Sequence, residues 1–282
     1  MSHNLLQRVG VVALAIGSTA LLLIAPGVSG AASKPSALHS MVPASIRSSG
    51  VLTIGADLTV APFGFISHGN VTGIDHTLCG DVAKTLGLKF KFVNLAFAGL
   101  ISGLEANKFD VICSGMYDTP VRAAVVDFVP YIQTGISIVA AKGNPDNIKS
   151  ITDLCGHTVA VTLGSAEQTL ATSQVALCSA AGKTLTVLTF PGYSDAFAAM
   201  AAGRAQALLG DDPTLAYDVK SVPSVEVVAS GINTIVNGIA VNRNDAQLAG
   251  AVTAAMYTME RNGTYAAGLK QWGITADAIT TF

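Results

Sequence analysis

The chain has 282 residues, a formal net charge of −2, and a composition that is 50% hydrophobic and only 12% charged. That length allows one or two domains with an ample core. The weak, mixed charge contains no basic stripe, so a nucleic-acid partner is not expected.

Residues 1–31 read as a secretory signal peptide. Arg8 is the only charge before Lys34, an apolar run covers 9–26, and small residues (GVSGAAS) close it, placing cleavage near 30–32. The run approaches the roughly 20 residues that span a bilayer, so an uncleaved anchor is the alternative. Gly17, Ser18 and Thr19 interrupt it and favour cleavage. The Ser-, Ala- and Pro-containing stretch 32–42 reads as a tether. The remaining chain has no second long apolar run, and exported, periplasmic or secreted protein is expected.

A strand is expected over 51–56, then a loop, DLTVAPFGFISHGN. Gly73 opens a helix over 75–86 on which Leu78, Val82 and Leu86 form one apolar stripe. A strand over 89–94 leads to a short helix with Leu100, Ile101 and Leu104 on one face, and a β-branched strand over 110–113 runs into Ser114 and Gly115. This β-α-β-α-β order implies an α/β layer with parallel strands. After a strand over 135–141 and the break KGNPDN, a second series repeats the layout: strands at 158–162, 184–190 and 205–209, with helices at 166–181 and 193–202 and another opened by Asp211-Asp212-Pro213. A strand over 237–241 and a helix over 245–262, carrying Leu248, Val252 and Met256, return the chain; Tyr265, Leu269 and Trp272 then share a helix face.

Two α/β layers in one chain imply a cleft, and ligands of open α/β sheets bind beyond the carboxyl ends of strands. The candidate polar residues sit there: Ser114 to Arg122 after one strand, Gly164 to Glu167 after another, Asp211 after a third. Arg122 beside open backbone can clamp a carboxylate, or it can be a solvated helix arginine paired with Asp118. Gly164-Ser165-Ala166 opens a helix whose free N–H groups favour an anion, and Ser165 also suits a plain N-cap. Asp211 can accept from an ammonium or cap the next helix. Phe63, Phe65 and Phe97 can wall a pocket or pack in the core.

Four cysteines occur without a C-x-x-C, and the five histidines are scattered, so no metal site is expected. Cys155 and Cys178 flank one strand–helix unit and are expected to bridge. Cys79 and Cys113 are expected to be buried small groups, with a bridge as the minor alternative. No G-x-S-x-G, H-E-x-x-H or P-loop is present, so no catalytic residue and no cofactor are assigned.

Seven segments in order, VLTIGADLTVAPFGF (51–65), GIDHTLCGDVAKTLGLK (73–89), 97–131 around FDVICSGMYDTPVRAAVVDF, DLCGHTVAVTLGS (153–165), MAAGRAQALLGDDPTLAY (200–217), NGIAVNRND (237–245) and RNGTYAAGLKQWGI (261–274), resemble the periplasmic amino-acid-binding proteins of ABC transporters, the extracellular solute-binding family for polar amino acids. The resemblance implies a type II, two-lobed α/β receptor with a hinge, lobe 1 comprising 43–135 plus 236–282 and lobe 2 comprising 136–235. It implies a monomer that binds an amino acid or related small carboxylate and hands it to a membrane permease. By position, Arg122 would bind the α-carboxylate, helped by backbone N–H groups of Tyr117 and Ala166. Asp211 would bind the α-ammonium with the carbonyl of Gly115. Asp57, Val60, Phe97, Thr162 and Glu167 would surround the side chain, with Ser165 and Thr119 adjoining. The chain departs from the pattern at Tyr117, where the family has Ser, Thr or Asn, and at Val60, which replaces an aromatic residue. Asp57 and Glu167 together would favour a cationic ligand side chain, whereas Val60 and Phe97 would suit an apolar one. Two other functions fit the resemblance: an enzyme similar to the cyclohexadienyl dehydratases with Glu167 as general acid, and a sensor acting through a partner.

Overall fold

The computed structural model describes residues 37–282; the expected signal peptide and the first part of the tether lie outside them. The chain begins with α1 (Ala37–Met41) and α2 (Ala44–Ser49), then β1 (Val51–Ala56). The stretch read as a loop folds into a small antiparallel sheet of β2 (Thr59–Val60), β3 (Gly64–Ser67) and β4 (Asn70–Thr72). Next come α3 (Ile74–Thr85), β5 (Lys89–Asn94), α4 (Leu100–Glu105), β6 (Val111–Ile112), α5 (Pro120–Ala123) and β7 (Val126–Ala141). The second series is β8 (Thr158–Thr162), α6 (Ala166–Ala180), β9 (Thr186–Phe190), α7 (Tyr193–Ala201), β10 (Ala207–Asp211) and α8 (Asp212–Asp218). β11 (Val225–Asn242), α9 (Ala246–Asn262) and α10 (Thr264–Trp272) complete the chain.

The main sheet has the order β5-β1-β6-β11-β7-β10-β8-β9. β1 pairs in parallel with β5 and β6 at one end, and β8 pairs in parallel with β9 and β10 at the other. Between them β7 and β11 run antiparallel, from Val126 opposite Asn242 to Ala141 opposite Val225. This ladder joins two lobes. Its register shifts repeatedly between Val227 and Gly238, where the strands cross from one lobe to the other. At Gly135 an added Cβ would lie 2.6 Å from Asp212 Oδ2 and 2.9 Å from Gly231 Cα, so the crossing is closer than any side chain allows.

Alternate residues of the strands feed opposite faces, as the pleat dictates. Leu52, Ile54 and Val111 join Leu78, Val82, Val252 and Met256 in the largest core, while Ile112 joins Leu100, Leu104 and Phe109 on the other face. In the second lobe Val159, Val161 and Leu209 face α6, and Ala160 and Leu208 face Met200 and Leu215. Helices therefore cover both faces of the parallel strands. α3 buries Ile74, Leu78 and Val82 at four-residue spacing, and α9 starts with Asp245 accepting from Leu248 N at 2.9 Å and ends at Gly263.

Part of the expected tether is folded instead. α1 occupies it, Leu38 packs against the largest core, and Val42 is fully buried there. Cys79 and Cys113, expected as buried thiols, are buried and bonded to each other, tying α3 to the end of β6. Cys155 is bonded to Cys178, tying the turn before β8 to the end of α6. Among the described residues no cysteine is free. Non-reducing peptide mapping of oxidised protein is expected to recover these two pairs. Replacing Cys155 and Cys178 together with Ser should lower the unfolding free energy by about 3 kcal/mol in urea titrations, given the 23-residue separation.

Candidate ligand-binding site

The site is built at strand ends. After β6 the chain turns through Ser114 and Gly115, whose φ of +56° is a glycine conformation. This peptide is pinned on both sides: Gly115 N donates to the Tyr131 hydroxyl at 3.2 Å, and Gly115 O accepts from Asn237 Nδ2 at 2.8 Å. Pro120 at the start of α5 fixes a single helical turn capped by Thr119, and this turn aims Arg122 into the interior. Arg122 is 8% exposed. Its Nη1 donates to Tyr117 O at 2.9 Å and its Nη2 to Gly164 O at 3.0 Å, so it links the two lobes. The guanidinium lies 5.2 Å from the centre of the Phe97 ring. A guanidinium has five N–H donors, so these two bonds leave others for a ligand.

From the second lobe, β8 leads through Gly164 to Ser165, which caps α6 by accepting from Gln168 N at 3.1 Å. Glu167 follows in the first turn. Asp211 is the last residue of β10, and its side chain makes no capping bond to α8. A narrow cleft brings Arg122, Asp211 and Glu167 together. Gly115, Tyr117, Ser165, Ala166 and Thr162 line it, with Val60 and Phe97 as apolar walls. Ser114, Tyr193, Leu209 and Gly210 line it as well. Of these, Tyr193 could not be assigned from sequence, because it lies on a helix start and only the tertiary fold sets its ring against Gly210.

Two expected site residues are placed elsewhere. Asp57 is 2% exposed, and both its oxygens are engaged: Oδ1 accepts from Thr59 N and Oγ1, and Oδ2 accepts from Phe97 N at 3.1 Å. It shapes the loop that carries Phe97 and does not line the cleft. Thr119 caps α5 by accepting from Arg122 N at 3.4 Å and lines an adjoining, mostly apolar groove that shares Arg122, Ser165 and Ala166 with the cleft. Tyr117 reaches the cleft, but its hydroxyl donates to Gly135 O at 2.9 Å and its ring packs in the core of the second lobe. Phe63 is buried behind Gly115, and Phe65 lies between Tyr217, to which it is tilted, and Trp272, which it meets edge-on.

Electrostatically the cleft holds one cation and two acids. Glu167 Oε1 and Asp211 Oδ1 are buried without a hydrogen-bond partner among the described residues. Burial raises the Glu167 carboxyl, against the opposing pull of Ser165 and Arg122. Burial and then the neighbouring Glu167 charge hold Asp211 well above the usual carboxylate range. Burial lowers the Arg122 guanidinium, while Glu167 and Asp211 act to restore it. Among the described residues no cluster of His, Cys, Asp and Glu has the make-up of a metal site.

Comparison with known proteins settles the family. Residues 52–275 match the bacterial extracellular solute-binding proteins, family 3. The chain belongs to this family. The arginine-binding protein ArgT of Corynebacterium glutamicum is 30% identical over 241 residues, 84% of this chain and 79% of that protein. The L-cystine-binding protein TcyJ of Escherichia coli K12 is 26% identical over 231 residues, covering 80% and 84%. An ancestral arginine-binding protein bound to arginine matches the fold with a TM-score of 0.75 at 33% identity, over 79% of this chain and 98% of that one. The ancestral amino acid-binding protein AncCDT-1, a precursor of cyclohexadienyl dehydratase, matches with a TM-score of 0.74 at 34% identity, over 81% and 97%.

One support of this candidate site titrates near neutrality. Asp75 is fully buried on α3, with Oδ1 accepting from the Tyr131 hydroxyl at 2.6 Å and Oδ2 unpartnered. Burial raises its carboxyl to about 7, and the bond from Tyr131 only partly offsets this. The folded chain therefore holds a proton that the unfolded chain releases near 3.8. Stability from this group is full below the unfolded value, falls as pH rises through that window, and levels off above about 7. Thermal and urea unfolding at stepped pH should show the decline, with Asp75→Asn removing a share on the order of 4 kcal/mol.

Proposed function

We propose that the chain is the exported, non-catalytic receptor of an amino-acid ABC importer. In this reading its lobes, residues 43–135 with 236–282 and residues 136–235, close on one free amino acid and present it to the membrane permease. The observation that carries the reading is the convergence of Arg122, Asp211 and Glu167 in one buried cleft, with both acids keeping an unpartnered oxygen. Arg122 takes the ligand α-carboxylate through its remaining N–H groups, beside the N-terminus of α6 at Ala166. Asp211 Oδ1 takes the α-ammonium. An α-amino acid brings these two charges a short distance apart, and that is what ArgT and TcyJ, named for arginine and cystine, have in common as receptors.

Closure is supported by bonds that cross the cleft mouth. Arg122 reaches Gly164 O, and Ser194 Oγ donates to Thr59 O at 3.0 Å. Among the described residues no helix is long and apolar enough to cross a membrane. A second reading is favoured by one observation: the raised Glu167 carboxyl could serve as a general acid in a dehydratase-like reaction. Mass spectrometry of ligand recovered after long incubation distinguishes the two, and the receptor should return it unchanged.

A thermal-shift screen of the twenty amino acids is expected to find a ligand that stabilises by about 2.7 kcal/mol at 100 times its Kd. For that ligand, calorimetry on Arg122→Ala should show a loss on the order of 3 kcal/mol; unchanged affinity would remove Arg122 from the site. Asp211→Asn should weaken the amino acid strongly but spare its analogue lacking the amino group, because the lost interaction is with the ammonium alone.

A further inference from the structure

The geometry points to a ligand whose side chain carries a positive charge, an amine or a guanidinium, with Glu167 as its counter-charge. This inference rests on the α-amino acid reading above and specifies the far end of the same cleft.

The argument is a charge count in a closed space. Arg122 supplies a guanidinium, and Asp211 and Glu167 supply two carboxyls that burial holds toward the protonated form until a cation pairs with them. A zwitterionic amino acid pairs its carboxylate with Arg122 and its ammonium with Asp211. Glu167 then remains, 5% exposed, with Oε1 lacking a partner. A buried carboxylate in that position is strongly disfavoured unless a cation or a donor reaches it. Asp57, the other acid expected near the ligand side chain, has both oxygens occupied by Thr59 and Phe97. The burden of matching the side chain therefore falls on Glu167. Val60 and Phe97 provide apolar wall for an aliphatic stem, and Val60 packs against the cores of both lobes.

One alternative keeps Glu167 protonated, so that it donates to a neutral carboxamide or urea oxygen. Burial favours that form in the absence of a cation. The two cases respond oppositely to pH. A cationic side chain binds the ionised acid, so its affinity rises with pH. A neutral acceptor binds the protonated acid, so its affinity falls. The groups that bear on Glu167 are Arg122 on α5, Asp211 at the end of β10, and the hydroxyls of Tyr117 and Tyr193. Arg122 and Asp211 meet the backbone groups common to both ligand types, so comparing ligands cancels them.

The test is calorimetry of the purified protein with arginine, lysine, citrulline and glutamine at about pH 6 and about pH 8. Citrulline keeps the length and shape of arginine without the charge. The expected result is that arginine or lysine binds about 30-fold or more tighter than citrulline. That ratio should be at least as large at the higher pH and fall below about 5-fold in Glu167→Gln. The inference is overturned if citrulline or glutamine binds as tightly as the cations, or if the arginine-to-citrulline ratio survives in Glu167→Gln. Neutral binding without cationic preference sinks this inference and leaves the α-amino acid reading intact. Failure of all four ligands, together with the rest of the amino acids, sinks both.

Discussion

The constraint on which the site depends is the buried polar chain where β7 and β11 cross. Asn237 Nδ2 holds Gly115 O, Thr134 Oγ1 donates to Asn237 Oδ1 at 2.8 Å, and the Tyr117 hydroxyl holds Gly135 O. Thr134, Tyr117 and Asn237 are all 2% exposed or less. Buried polar groups of this kind must be satisfied, and a fully satisfied network specifies one geometry. The network fixes the Gly115 peptide in the first lobe to the strands that lead into the second. Tyr117 extends the link, because its backbone oxygen accepts from Arg122 while its ring packs with Ile136, Val161 and Leu209 of the second lobe.

The cleft shows the opposite economy. Its acids are buried without full satisfaction, which raises Asp211 and Glu167 and destabilises their charged forms. A fold selected for stability alone would not hold two carboxylates beside one guanidinium. Such departures concentrate where a ligand completes the arrangement. Asp57 makes the contrast clear: it is equally buried, but its oxygens are saturated by Thr59 and Phe97, and it reads as architecture.

Much of this was legible in the sequence because periodicity and strand-end chemistry are local signals. The stripe on α3, the Pro120 turn before Arg122 and the Gly-Ser start of α6 all follow from neighbouring residues. What was not legible depends on distant partners. β7 and β11 are each far longer than the strands expected near 135–141 and 237–241, because their β character is supplied by each other along the crossing. β2, β3 and β4 were read as loop because they are two to four residues long and separated by Pro62, Gly69 and other turn residues, too short for an alternating pattern to show although Val60, Phe65, Ile66 and Val71 favour strand. The bond between Cys79 and Cys113 needs α3 to lie over β6, which only the tertiary fold establishes. The direction of the Asp57 side chain was equally hidden, since its partners Thr59 and Phe97 lie on both sides of a whole βα unit.

The division of labour between lobes follows from these placements. The first lobe contributes Arg122 and the pinned Gly115 peptide, together with the ring of Phe97. The second contributes Asp211, Glu167 and the start of α6. In the receptor reading proposed above, a ligand carboxylate meets Arg122 on one lobe alone, and the two acids reach the ligand once the second lobe has swung over. Arg122 itself holds Gly164 O as an acceptor across the cleft. In the proposed receptor, closure draws its driving force from neutralising the acids of the second lobe with positive charge held by the first. A ligand lacking that charge would leave buried carboxylates uncompensated and favour the open form. On that reading, selection among ligands and the conformational step are set by the same two oxygens, Asp211 Oδ1 and Glu167 Oε1, both buried without a partner among the described residues.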